Sequence, residues 1–186
     1  MSRRFSRFAS LFALLLALAG AAHAQDSPTV VVVIRHAEKV ADGSNDPSLS
    51  EAGVKRAQEL VELAEEAGVK AIYTTQYKRS QETARPLAAR LSVPVTSVEI
   101  NKENAGAYPA KLAKDVLSKH AGQVVLIIGH SNTVPAIVEA LGGKRPAAID
   151  DATEFDRVFV VVVPKSGGAK VIKTRYGQRK PETPKP

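Results

Sequence analysis

Apolar residues in this 186-residue chain fall into two kinds of segment. Uninterrupted runs of valine, isoleucine and leucine occupy 30–34 and 124–128, and polar residues follow soon after each. Runs of this length and composition are typical of strands buried on both faces, as in a parallel sheet. Helices are predicted over longer segments, at 50–67, 77–91, 109–119 and 133–141. The order of the segments predicts strands that alternate with helices.

Four further segments complete the predicted sheet. Short strands are predicted at 69–75 and 93–100, and two more at 157–163 and 169–174. The last two are separated by Pro-Lys-Ser-Gly-Gly at 164–168, which is a hairpin signal. We therefore predict a three-layer α/β/α fold with a mainly parallel central sheet, helices on both faces and an antiparallel C-terminal hairpin.

One helix and the limits of the domain need separate comment. Pro86 falls inside the predicted helix at 77–91, so we expect either a kink or a late start there.

A single globular domain is predicted over 29–176, since the length suits one good core rather than two. The last ten residues, 177–186, are rich in lysine, arginine and proline, and are predicted to be a disordered basic tail.

The N-terminus has the pattern of an export signal. Arg3, Arg4 and Arg7 precede an apolar run at 8–22, and Ala22-His23-Ala24 then forms a small-residue cleavage site. We predict a signal peptide over 1–24 and an exported protein, periplasmic or secreted, with no stable membrane span after cleavage. Retention of the segment as a membrane anchor is the alternative.

Composition narrows the chemistry that is open to the chain. It contains no cysteine, which excludes disulfides, a thiol nucleophile and a thiolate metal site. The formal net charge of +7 falls to +4 once the three arginines of 1–24 are removed. This modest excess suits anionic substrates, and no basic run interleaved with aromatic residues points to nucleic acid, which we do not expect as a partner.

Two histidines stand just after predicted buried strands. His36 follows the first strand and His130 follows the strand at 123–129. Ligands of open α/β sheets bind at the carboxyl ends of the strands, where both histidines are expected. Arg35 precedes His36, and Arg79 lies one loop beyond another strand. Their guanidinium groups match phosphate or carboxylate oxygens two at a time, so the sequence predicts an anion site.

Four motifs in order resemble a known family. They are Arg35-His36-Ala37-Glu38, Leu49-Ser50-Glu51-Ala52-Gly53, Tyr73-Thr74-Thr75 with Arg79-Ser80-Gln81-Glu82-Thr83-Ala84, and Gly129-His130-Ser131-Asn132. The pattern, which spans about 30–163, is similar to that of the histidine phosphatase superfamily, which has the phosphoglycerate mutase-like fold. In size the chain resembles the small SixA-type phosphohistidine phosphatases.

The resemblance implies a metal-independent phosphatase without any cofactor. It makes His36 the nucleophile that accepts the phosphoryl group, with Arg35, Arg79 and His130 holding the phosphoryl oxygens. The implied substrates are phosphate monoesters or phosphoramidates, on a small molecule or on a phosphoprotein. Asn45 lies in the loop after His36, where relatives contact substrate, and is a further candidate binding residue.

The proton donor for the leaving group is not marked by the motifs. Relatives place an acid soon after the third strand or directly after the second histidine, and here Ser131 and Asn132 follow His130. Glu99 lies in about the right region for the first option. Glu38, two residues beyond His36, is the other candidate acid.

Two other functions compete with the phosphatase. The unmarked acid would also fit a catalytically weak or inactive module of the same fold that binds phosphate or a phosphoprotein. A metallohydrolase built on the two histidines is poorly supported, since the chain has neither H-x-H nor H-E-x-x-H.

Overall fold

The computed structural model describes residues 27–177. The predicted signal peptide at 1–24 and the predicted tail beyond Gly177 lie outside the described residues, and both stay predictions.

A six-stranded mixed sheet forms the centre of the fold. Its strands are β1 (Thr29–Arg35), β2 (Val69–Thr74), β3 (Val95–Ser97), β4 (Val124–Gly129), β5 (Arg157–Val163) and β6 (Lys170–Arg175). Their order across the sheet is β3-β2-β4-β1-β5-β6. The first four in this order are mutually parallel, whereas β5 is antiparallel to both β1 and β6. The predicted mainly parallel sheet with a C-terminal hairpin is confirmed.

Four helices cover the two faces of the sheet. They are α1 (Glu51–Ala64), α2 (Lys78–Leu91), α3 (Tyr108–Lys119) and α4 (Val134–Ala140). Leu60 and Leu87, from α1 and α2, share one buried cluster with Ile34 of β1. The α3 and α4 side chains form the opposite cluster, which contains the neighbouring strand residue Val33. Successive β1 residues point to opposite faces, so the predicted three-layer α/β/α architecture is confirmed.

The third strand is shorter than the predicted 93–100. The amide of Val93 donates to the carbonyl of Ala88 at the end of α2, 3.0 Å away. Pro94 follows and has no N–H to donate to a neighbouring strand. Pairing with β2 therefore starts only at Val95, and the short β3 forms one edge of the sheet.

Two details of the helices also differ from the sequence prediction. The helix that contains Pro86 begins at Lys78, so the predicted late start is wrong. Helix α1 ends at Ala64 rather than at Gly68, because the chain passes through turns before Gly68, which has a positive φ of 71°. The N-cap of this helix is Ser50, whose hydroxyl accepts from the amide of Gly53.

Gly53 lets the first turn of α1 touch the segment that follows His36. A Cβ at Gly53 would overlap the backbone carbonyl of Glu38. We therefore expect Gly53→Ala to lower the free energy of unfolding by about 2 kcal/mol, although alanine is the better helix former by about 1 kcal/mol. Urea unfolding measures the change.

Gly106→Ala is the matched control for this prediction. A Cβ there meets no atom within 4 Å, so its effect should stay within about 0.5 kcal/mol. Equal effects of the two substitutions would contradict the close contact at Gly53.

Candidate active site

The register of β1 and β4 places the two strand-end histidines side by side. Arg35 pairs with Gly129 across the two strands, and the amide of His36 donates to the carbonyl of Gly129 at 2.9 Å. The imidazole rings of His36 and His130 meet edge to face with centroids 5.2 Å apart. Both are buried, at 3% and 8% exposure. The two histidines predicted to share a site therefore do so.

One ring nitrogen of His36 is committed to the backbone. Its Nδ1 lies 2.8 Å from the carbonyl oxygen of Ala37. A carbonyl can only accept, so Nδ1 carries the proton and donates it. In the neutral ring, Nε2 therefore holds the lone pair. This is the tautomer that an attacking imidazole needs.

Both imidazoles are held in the uncharged form. Burial, followed by the nearby His130, Arg35 and Arg79, lowers the pKa of His36 to about 3. Burial, followed by Arg79 and Arg35, lowers the pKa of His130 to about 4. Near neutral pH the pair adds no positive charge, and His36 keeps its nucleophilic lone pair.

This arrangement predicts how the free protein titrates. We expect the ring resonances of His36 and His130 to stay in the neutral form down to about pH 5. The unfolded chain takes up these protons near pH 6.5, so the free energy of unfolding should decrease as pH falls from about 6.5 towards the folded-state values. Nitrogen-detected NMR titration follows both rings. Protonation of His36 near pH 6.5 would contradict the buried neutral pair.

Arg35 holds the loop that precedes β5. Its Nη1 donates to the carbonyls of Asp150 and Glu154, and its Nη2 to the carbonyl and to Oδ1 of Asp151, at 2.7–3.1 Å. The guanidinium carbon also lies 3.9 Å from the centroid of the Phe155 ring. Arg35 is 1% exposed. Its buried side chain therefore stabilises this loop and also places a positive charge beside His36.

The second arginine is held more loosely. Arg79 lies over the ring of Tyr77, 4.4 Å from its centroid, and its Nη1 is 3.8 Å from Oδ1 of Asp46. Asp46 also accepts from the amide of Lys78 at the start of α2. The side chain of Arg79 is 15% exposed. It therefore lies beside the histidines and remains open to solvent.

Each arginine keeps one buried donor that no other described residue satisfies. These atoms are Nε of Arg35 and Nε of Arg79. A buried donor left without an acceptor costs about 1–3 kcal/mol, and a charged one costs more. An oxyanion bound between the two guanidinium groups would supply acceptors for both. The site therefore has the chemistry of a phosphate-type pocket.

Two hydroxyl groups orient His130. Its Nε2 lies 2.9 Å from Oγ1 of Thr75, which lies 2.8 Å from Oγ of Ser80. The Ser80 hydroxyl donates to the carbonyl of Tyr77 at 2.8 Å, so its oxygen accepts from Thr75. Thr75 in turn accepts from Nε2–H of His130. Thr75 and Ser80 are fully buried, and their chain of bonds fixes the ring.

The histidines open into a pocket of about 530 Å³. His36, Arg79 and His130 line it, together with residues of both signs of charge and several polar groups. The others that matter below are Lys39, Lys102, Ser131 and Asp151. The pocket is large enough for a phosphoryl group and part of the group that carries it.

Three predicted site residues lie elsewhere. Glu99 lines a different cavity, beside Tyr108. Glu38 is clamped by Arg56, whose Nε and Nη2 donate to both carboxylate oxygens at 2.8–3.1 Å. Asn45 is exposed and is not among the residues that line the pocket. Glu38 is thus engaged by Arg56, and neither Glu99 nor Asn45 lines the pocket of His36.

Sequence reasoning missed Asp151. The loop at 147–154 is visibly acidic, but it is distant in sequence from every motif. Its position follows from β5, which runs antiparallel to β1 and pairs Val158 with Ile34. The start of an antiparallel neighbour lies beside the end of β1. The topology, had it been known, would have directed attention to the residues just before β5.

Among residues 27–177, no group of three or more histidine or carboxylate side chains could hold a metal ion. Over the same range, no helix has the length and apolarity needed to cross a membrane.

A family model matches part of the sequence. The model of the histidine phosphatase superfamily (branch 1) matches residues 31–109, a range that includes Arg35, His36 and Arg79. Over this range the sequence is similar to the histidine phosphatase superfamily, and the fold and the geometry around His36 agree with that likeness. A search of the curated proteins found no match.

Solved structures share the fold over almost their whole length. The protein histidine phosphatase SixA, in complex with tungstate, is 19% identical with a TM-score of 0.59, over 78% of this chain and 96% of that one. A protein of Agrobacterium tumefaciens assigned as SixA is 22% identical, with a TM-score of 0.58 and coverages of 82% and 99%. A mycobacterial glucosyl-3-phosphoglycerate phosphatase is 15% identical, with a TM-score of 0.59 and coverages of 77% and 97%. At these identities the likeness establishes the fold.

Proposed function

We propose that the chain is a phosphatase that hydrolyses phosphate monoesters or phosphoramidates through a phosphohistidine on His36. One observation carries the proposal. The neutral imidazole of His36 has its Nδ1 bonded to a carbonyl and its Nε2 free, beside two guanidinium groups that each keep an unmatched buried donor. A nucleophile next to cationic donors without an acceptor is the arrangement that phosphoryl transfer requires.

The reaction then has two displacements. In the first, Nε2 of His36 attacks phosphorus, and the bond from phosphorus to the leaving oxygen or nitrogen breaks with its electron pair on the leaving atom. In the second, water attacks the phosphohistidine, and the nitrogen–phosphorus electron pair returns to Nε2. Arg35 and Arg79 hold the phosphoryl oxygens, where their positive charge and donors stabilise the charge in transfer. His130 joins them as a donor once the bound anion favours its protonated form.

The range of substrates follows from the pocket and the relatives. Solved structures of this fold include a protein histidine phosphatase and a glucosyl-3-phosphoglycerate phosphatase, so both a phosphoprotein and a small phosphorylated molecule are candidates. Lys39 and Lys102 line the pocket and favour an anionic substrate. We propose that the enzyme needs neither a metal nor another cofactor, and that it works after export, in the periplasm or outside the cell.

A substrate panel tests the proposal. The full chain is assayed with an aryl phosphate, a sugar phosphate, a phosphoramidate and a phosphohistidine peptide, each with and without a chelator. We expect turnover of at least one class, with unchanged rates in the chelator. Loss of activity in the chelator would contradict the metal-free mechanism.

The second candidate function is a binding module without turnover. It gains some support from Glu99, which lines a different cavity, and from Glu38, whose carboxylate is bonded to Arg56. Saturable phosphate binding with no turnover across the panel would favour this module over the phosphatase.

A further inference from the structure

Asp151 supplies a carboxylate to the pocket that no motif marks. It lines the same pocket as His36 and His130, although it comes from the loop before β5. Its Oδ1 accepts from Nη2 of Arg35 and from the hydroxyl of Ser131, each at 2.7 Å. Ser131 directly follows His130, so two elements of the site hold this carboxylate in place.

The positions of His36 and Asp151 suit opposite ends of the reaction. His36 is 3% exposed, whereas the side chain of Asp151 is 71% exposed. His36 therefore lies at the buried end of the pocket, and the carboxylate of Asp151 lies at its solvent-exposed end. In an in-line displacement, the water that attacks a phosphohistidine enters opposite the nitrogen–phosphorus bond, from the solvent side.

The bonding of Asp151 leaves one oxygen for such a water. Both observed bonds go to Oδ1, so neither uses the lone pairs of Oδ2. The Ser131 hydroxyl, followed by the charge of Arg35, holds the pKa of Asp151 below its usual range. A carboxylate that stays ionised at neutral pH can accept a proton, and it is poorly suited to donate one.

We propose that Asp151 is the general base of the second displacement, and that Ser131 positions it. Water attacks the phosphorus atom, Oδ2 takes a proton from that water, and the bond to Nε2 of His36 breaks with its electron pair on Nε2. Inorganic phosphate leaves, and Asp151 releases the proton to solvent. This proposal rests on the phosphohistidine mechanism proposed above, and it adds the residue that completes it.

Asp151→Asn separates the two displacements. Asparagine keeps an oxygen that can accept from Arg35 and Ser131, but it cannot take a proton. With an aryl phosphate, whose leaving group needs little help, formation of the phosphohistidine should proceed while its hydrolysis slows by about 10²-fold or more. We therefore expect steady-state turnover to fall and phosphorylated His36 to accumulate. Rapid quenching in alkaline denaturant followed by mass spectrometry measures the phosphorylated fraction.

Two further variants sharpen the result. Ser131→Ala should show the same accumulation to a smaller degree, since it loosens the carboxylate without removing it. Glu99→Gln removes the acid that the sequence suggested, and it should leave the phosphorylated fraction at the wild-type level. Accumulation in Glu99→Gln instead of Asp151→Asn would overturn the proposal.

Other outcomes are also decisive. Slower turnover of Asp151→Asn without accumulation, or turnover unchanged from wild type, would overturn the role of Asp151 as the base. Absence of phosphorylated His36 in every variant, together with inactive wild-type protein, would overturn the proposed function itself.

Discussion

Replacing His36 with alanine is expected to reduce the hydrolysis of every substrate by at least about 10³-fold, because no other group can form the covalent intermediate. The Nε2 atom of the neighbouring His130 cannot take over this role, since it donates its proton to Thr75. Steady-state kinetics with an aryl phosphate measures the loss. Phosphate binding should persist, because Arg35 and Arg79 remain.

His120→Ala is the matched control for this substitution. His120 is the other histidine of the described chain, and its ring is bonded to Tyr73 and Gln123, away from the pocket. Its replacement should leave kcat/KM near the wild-type value. Turnover that survives in His36→Ala but fails in His120→Ala would contradict the assignment of the nucleophile.

Arg35→Ala and Arg79→Ala are expected to have similar effects on activity and different effects on stability. Each removes one cationic donor to the phosphoryl group, and each should lower kcat/KM by about 10²-fold or more. Arg35→Ala also removes four bonds to the loop at 150–154, so it should lower the free energy of unfolding by about 2–4 kcal/mol. Arg79→Ala loses one long, partly exposed ion pair and should cost less than about 1 kcal/mol.

Urea unfolding and kcat/KM, measured on the same two preparations, test this separation. Equal destabilisation by the two substitutions would contradict the structural role assigned to Arg35. Near wild-type activity in either variant would contradict the anion site formed by the two guanidinium groups.

The architecture was predictable because local patterns and global topology agree. Uninterrupted runs such as 30–34 are typical of buried strands, and helices between successive strands are typical of parallel connections. The position of β5 was not predictable in the same way. Its apolar pattern suits any buried strand, and its place beside β1 depends on pairing between segments far apart in sequence.

The histidines and arginines of the site were predictable for a related reason. They follow directly from strand ends, and strand ends meet at one edge of a parallel sheet. The carboxylates near the site were not predictable in this way. Glu38 is near His36 in sequence, but Arg56 holds it, and Asp151 is remote in sequence but lies in the pocket. Proximity along the chain is a poor guide for residues in loops, whose direction is set by tertiary contacts.

In the proposed mechanism, the phosphoryl group passes through Nε2 of His36. The most direct test is to mix the wild-type protein with an aryl phosphate, quench it in alkaline denaturant within the first turnovers, and locate the phosphate by mass spectrometry of peptides. We expect an acid-labile phosphoryl group on His36 in the wild type and none at this position in His36→Ala. Rapid turnover with no phosphate on His36, or with phosphate on another residue, would contradict it.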